Sequence, residues 1–257
     1  MDCARVRSGL DAVPVPAGAP AKRLVLIVGD GGRADMLFDT RTHADGGGGG
    51  PLARGLQSKI LSGETSWGVS HTRVPTESRP CHASLLGGIY EDPSAIMKGW
   101  QQNPVEFDTV VNGSSAAFLF GSPDVIPLFG KGLGHVTADM YPAEWEDFGS
   151  GCLDERRGCR RLDDWVFDRL DAELAAAAAA PGGALDRRLR GDRVLIFLHL
   201  LGLDMQGHAH RPDSREYRAN VRSLDHGVAR VEVSLARYLS LSLSLSIRLL
   251  ACPISTG

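Results

Sequence analysis

The chain has 257 residues, of which 43% are hydrophobic and 23% charged, enough to bury one full core and too apolar for a disordered chain. Its formal net charge of −3, with Lys and Arg scattered rather than striped, removes the electrostatic footprint of a nucleic-acid binder, so no nucleic-acid partner is expected. Five cysteines, an odd number without C-x-x-C spacing, exclude a zinc finger and a dense disulfide framework; Cys152 and Cys159 are left open as a pair in an oxidising compartment or as free thiols.

Residues 1–22, rich in Ala, Pro and Gly, read as an irregular lead-in without the unbroken apolar stretch of a secretory signal. No segment reaches the length of a membrane span, so from its residues alone the chain reads as soluble. "RLVLIVGD" then gives an apolar run from Leu24 to Val28, bounded by Gly29 and ending at Asp30, which predicts a short strand buried on both faces. "GGRADMLFDT" permits a tight turn into a helix, and "HADGGGGGPLARGL" reads as a surface insertion before a short helix near 52–61. "TSWGVSHTRV" is a second strand candidate leading into the turn at Thr76, and a helix from about Arg79 to Leu86 follows.

In the middle of the chain "AAFLFGSPDVIPLF" predicts a strand running into a loop. "DDWVFDRLDAELAAAAAA", ended by "PGG", predicts a helix covering a sheet face. "DRVLIFLHLLGLD" repeats the first pattern, a strand from Val194 to Leu198 or beyond that leads to Asp204, and "REYRANVRSLDHGVARVEVSLARYL" reads as an amphipathic helix. The final "LSLSLSLSIRLLACPISTG" has the period of a strand and the composition of a low-complexity run. The rhythm of helix, strand and site is that of an open α/β sheet, whose ligands bind at the carboxyl ends of the strands, where Asp30 and Asp204 fall.

The candidate chemistry lies in three places. "HLLGLDMQGHAHRP" puts Asp204 and His208 four apart, so on a helix both reach one ion, with His210 nearby; the bland alternative is a polar loop with incidental histidines. Asp30 in "GDGGRAD" is flanked by glycines that allow close backbone approach, or else sits in an ordinary turn. In "SHTRVPTESRPCHASLLGG", Thr76 either caps a helix or presents a nucleophilic hydroxyl at a helix N-terminus, where free N–H groups favour a phosphate.

"RLVLIVGDGGRAD", "WGVSHTRVPTESRPCH", "YEDPSAIMKGWQQNPVEFD", "FGSPDVIPLF", "EDFG", "LDDWVFD" and "FLHLLGLDMQGHAHRP" together resemble the lumenal catalytic domain of the GPI ethanolamine phosphate transferases, enzymes of the alkaline phosphatase superfamily. The resemblance covers roughly 22–237. It implies an alkaline-phosphatase-like α/β fold, mainly parallel and truncated, with a partial catalytic domain over 23–237 and a low-complexity tail over 238–257. It also implies a membrane enzyme of the endoplasmic reticulum, active on the lumenal face, that moves phosphoethanolamine from phosphatidylethanolamine to the first mannose of a GPI glycolipid precursor. Membrane attachment would come through segments outside this chain.

Carried onto this sequence, the resemblance makes Thr76 the nucleophile, Asp30 a ligand of one divalent ion together with Thr76, and Asp204 and His208 ligands of a second; Asn103 in "QQNPVEFD" would donate to a phosphate oxygen. The ions would be zinc or manganese. His82 and His210 are given no firm role and are expected to be structural or to stand behind the metal ligands. The family completes its metal shells with a later Asp-His pair in "SDHG" and one further His. "SLDHGVAR" looks like that motif, but it follows a charged helical stretch, so Asp225 and His226 are not expected to bind metal. Cys81 stands where the family has glycine. The alternatives are an inactive fragment with an incomplete metal site, and a related phosphodiesterase of the same superfamily.

Overall fold

The computed structural model describes residues 21–38, 50–72, 74, 76–90, 108–147, 158–240 and 248–252. In chain order these form β1 (Arg23–Asp30), α1 (Ala34–Leu37), α2 (Arg54–Leu61), α3 (Ser78–Gly87), β2 (Ala116–Gly121), α4 (Ile126–Gly130), β3 (Val136–Met140) and a 3-10 turn (Ala143–Glu146). Then come α5 (Arg160–Ala179), α6 (Ala184–Arg190), β4 (Val194–Leu200), α7 (Gly202–His210), α8 (Arg215–Leu239) and β5 (Arg248–Cys252). The strands make one sheet in the order β3-β2-β4-β1-β5, with every neighbouring pair parallel. Parallel neighbours need crossovers, which the helices supply while covering both sheet faces. This is the alkaline-phosphatase-like α/β arrangement expected from the sequence.

Strand parity divides the core. Val25 and Ile27 of β1, Phe118 and Phe120 of β2, and Ile196 and Leu198 of β4 face one cluster, where Val166 and Leu170 of α5 meet Val221, Leu224 and Val228 of α8. Leu26, Val28, Leu119 and Phe197 face the other way, against Leu86 of α3 and Ile126 and Phe129 of α4. Burial on both sides is why β1, β2 and β4 read as unbroken apolar runs, whereas the edge strand β3 is only partly buried. The alanine-rich end of α5 stops at Ala179, before a Gly182 with φ of +72°. The hydroxyl of Ser214 starts α8 by accepting from the Tyr217 N–H at 3.0 Å.

The strand expected over "TSWGVSHTRV" does not form: residues 65–72 are irregular, and Trp67, Val69 and Val74 are exposed. Trp67 and Val69 share one parity and Val74 falls on the other, so no single face can be buried against the sheet. The glycine-rich insertion falls largely in residues 39–49, outside the described residues, as does the Leu-Ser run at 241–247. The backbone of 248–252 pairs in parallel along β1 from Leu26 to Asp30. Among the described residues no helix is long and apolar enough to cross a membrane.

Candidate functional site

In a parallel sheet all carboxyl ends fall at one rim, and the chemistry-bearing residues gather there. Asp30 is the last residue of β1 and is buried; its Oδ1 accepts from the Gly31 N–H at 3.0 Å, and its Oδ2 lies 3.2 Å from Nε2 of His199 on β4. Burial alone would raise this carboxyl, but the His199 hydrogen bond, the charges of His199 and His82 and the Ser78 hydroxyl outweigh it and hold it at about 2. Gly31 has φ of +69°, and a Cβ there would lie 2.4 Å from the Asp204 Cα, so only glycine lets the β1 turn approach the start of α7 this closely.

Asp204 and His208 lie one helical turn apart on α7, with His208 Nε2 3.6 Å from Asp204 Oδ1. The Asp204 carboxyl is pushed up to about 7, first by burial and then by the charges of Asp30, Glu77 and Glu146. Glu146, in the 3-10 turn after β3, is raised mainly by burial and has a buried Oε1 with no hydrogen-bond partner. Carboxylates from four segments thus crowd one rim, and crowding of this kind is relieved by a bound cation.

Thr76 stands just before α3, and its Oγ1 is buried without a hydrogen-bond partner. The following two residues tie this turn to both acids: Glu77 acts on Asp204 through its charge, and the Ser78 hydroxyl acts on Asp30. Glu77 is extended and its side chain does not cap α3, so the first-turn N–H groups of that helix receive no side-chain cap. The structure therefore brings Asp30, Asp204 and His208 to one rim and sets the Thr76 turn beside them, without a hydrogen bond from Thr76 to either acid. Asn103 lies outside the described residues. His210 ends α7. Asp225 is engaged elsewhere: it sits on α8 and accepts from the backbone N–H groups of Gly55 at 2.8 Å and Leu56 at 2.9 Å, capping α2.

Two further histidines complete the buried side of the rim, His82, which carries no firm role in the sequence, and His199, which the sequence did not single out. His82 and His199 are fully buried, with rings edge to face at 4.7 Å between centroids. One ligand atom each from Asp30, His82 and His199 lies within 4.8 Å of the others, making this group a possible metal site. Burial, aided by the charge of His199, pushes His82 down to about 4, so its ring is neutral near pH 7. The available signal was a histidine interrupting an apolar strand, since a polar group in a doubly buried strand must find a partner. Cys81, next to His82 on α3, is a buried free thiol, and Cys159 is disulfide-bonded.

No family model matches the chain. The chain is 46% identical over 218 residues to GPI ethanolamine phosphate transferase 1 from Mus musculus, and 44% identical over 218 residues to the protein of that name from Homo sapiens. It is 47% identical over 223 residues to the one from Aspergillus oryzae. Each match covers 84% of this chain and 21–22% of the relative, so the chain spans about a fifth of the length of the curated relatives it matches. Over most of its own length it is a homologue of the GPI ethanolamine phosphate transferase 1 proteins.

Proposed function

We propose that this chain is part of a metal-dependent phosphoethanolamine transferase of GPI-anchor biosynthesis and that Thr76 carries the transferred group. The observation that carries the reading is the buried, unpartnered Thr76 hydroxyl, followed directly by Glu77, whose charge acts on Asp204, and Ser78, whose hydroxyl touches Asp30. In this reading Asp30 and Thr76 hold one divalent ion and Asp204 and His208 a second. The donors fit: hard carboxylates with imidazole suit zinc or manganese, and Asp204, raised first by burial, also feels the negative charges of Asp30, Glu77 and Glu146. Two such ions, when bound, supply charge stabilisation to the attacking and leaving oxygens and favour the ionised hydroxyl.

The residues of the chain then divide the work. The Thr76 oxygen forms a bond to the phosphorus of phosphatidylethanolamine, the bond to the diacylglycerol oxygen breaks, and that oxygen ends with the proton Thr76 gave up. In the second half the first-mannose hydroxyl of the GPI glycolipid attacks the same phosphorus, the bond from phosphorus to Thr76 Oγ1 breaks, and Thr76 recovers the proton that the mannose hydroxyl gives up. The uncapped start of α3 offers N–H groups to phosphate oxygens, and Asn103 is assigned a further donor role. A lumenal site at the endoplasmic reticulum membrane, with attachment through segments outside this chain, fits the disulfide at Cys159, because such bonds persist in oxidising compartments.

The test is to incubate the chain with manganese or zinc and phosphatidylethanolamine and to map phosphoethanolamine adducts by mass spectrometry. An adduct on the peptide holding Thr76, lost in Thr76→Ala, is expected. The same adduct on Thr76→Ala protein would remove Thr76 from the role.

A further inference from the structure

We propose that His199 positions Asp30 for a divalent cation and that His82 braces His199 from behind. The inference rests on the reading of Asp30 as a metal ligand and names two residues that act through it. Strand register explains why they meet. Val28 pairs with His199 across β1 and β4, and Asp30 lies two residues beyond Val28, on the face it shares with Leu26. His199 shares its face with Leu195 and Phe197, so both groups turn toward α3.

Hydrogen-bond chemistry fixes the roles. An ionised carboxylate only accepts, so the 3.2 Å contact requires a proton on His199 Nε2. With the Gly31 N–H on Oδ1, the His199 N–H on Oδ2 and the Ser78 hydroxyl as a third donor, the protein sets the carboxylate plane and leaves one of its four lone-pair positions for an ion. The Ser78 carbonyl also only accepts, so at 2.6 Å it takes the Nδ1 proton of His82 and fixes that ring as well. His82 then presses edge to face on His199 and sets the angle of the second ring. Carboxylate ligands held in this way by hydrogen bonds from the protein behind them are a recurring feature of metal sites.

Two other arrangements use the same atoms. An ion could sit among Asp30, His82 and His199 themselves, since His82 Nε2 and His199 Nδ1 are buried without partners. Against it, both rings are fully buried and closed to solvent, whereas Asp204 and His208 at the rim are not. Alternatively the pair is only structural, in which case an apolar replacement would leave ion binding untouched.

The experiment measures manganese affinity of the full chain by chelator competition, with thermal unfolding in excess chelator as a check on folding. The wild type is expected to bind and Asp30→Asn to lose binding. His199→Leu should weaken binding by about 10–100-fold. His199→Gln should recover most of it, because its amide N–H reaches the position of Nε2, whereas His199→Asn, whose shorter amide does not, should behave like His199→Leu. If His199→Leu fails to fold, the Gln and Asn variants decide. Binding lost in Asp30→Asn but kept in His199→Leu and His199→Asn overturns the inference and leaves the reading of Asp30 standing. A wild-type chain that takes up no manganese overturns both. Nitrogen couplings in the spectrum of the bound ion that vanish in His82→Leu would show direct ligation and overturn the positioning role.

Discussion

Asp163 and Asp204 hold carboxyls pushed up to the same level, about 7, and burial is the leading cause for both, yet they belong to different kinds of region. Asp163, on α5 under the helical layer, is opposed by donors: its Oδ1 accepts from the Gly202 N–H at 2.9 Å and its Oδ2 from Asn220 Nδ2 at 3.2 Å. It therefore joins α5, α7 and α8 and caps the start of the helix that carries Asp204. Asp204, at the rim, is surrounded by other acids. A raised carboxyl thus does not by itself mark a site; the sign of its neighbours separates a structural joint from a place awaiting a cation.

The sharpest separation is expected from Asp204→Asn. Manganese affinity of the chain should fall by at least about 10-fold, while Asp163→Asn should leave it within a few-fold. Both acids have folded-state levels above their unfolded values near 4, so between about pH 4 and 7 the folded chain holds protons that the unfolded chain releases. Without ions, stability should accordingly fall as pH rises through that window, and each Asn variant should remove part of the fall. Saturating manganese should cancel the Asp204 part, because the ion needs the ionised carboxylate, and leave the Asp163 part in place. Thermal unfolding across pH, with and without manganese, checks this; equal responses of the two variants to manganese would erase the distinction between joint and site.

Gly202→Ala tests the joint itself. A Cβ at Gly202 would lie 2.4 Å from Asp163 Oδ2 and 2.5 Å from Asn220 Nδ2, so the acid must leave its donors. A loss of about 2–3 kcal/mol in denaturant unfolding is expected from the overlap and the broken buried hydrogen bonds. Asp225→Ala should cost less, about 1–2 kcal/mol, as the loss of a cap on α2, with manganese affinity unchanged. A change in that affinity would make Asp225 a ligand after all.

How legible each region was follows from what set it. The apolar runs at β1 and β4 and the periodic stretches of α5 and α8 showed in the sequence because the covered sheet writes its burial directly into residue type. Asp30 showed because β1 ends at it, and Asp204 because it follows the apolar run of β4 within a few residues. Asp163 did not, since its partners are a glycine N–H and an amide distant in sequence. His199 was hidden within an apolar run, and only the register of β1 against β4 sets it beside Asp30. "TSWGVSHTRV" misled because apolar residues near a strand period do not make a strand without a partner and a face to bury. "SLDHGVAR" shows the converse: an Asp-His pair on a helix is a cap when backbone N–H groups reach the carboxylate first.

A third class of carboxylate sets the scale for the other two. Arg230 on α8 donates from Nη2 to Asp168 Oδ1 and from Nε to Asp171 Oδ2, both at 2.7 Å, joining α8 to α5 as Asp163 does but in solvent. Water screens these charges, and the long Arg230 side chain loses freedom in holding one geometry, so Arg230→Ala should cost no more than about 1 kcal/mol. High salt should shrink that cost further, whereas the Gly202→Ala cost should be nearly unaffected by salt, because the Asp163 joint is dry. Denaturant unfolding at low and high salt separates them. An Arg230→Ala loss as large and as salt-insensitive as that of Gly202→Ala would mean that geometry between α5 and α8, rather than burial, decides what a carboxylate is worth in this fold.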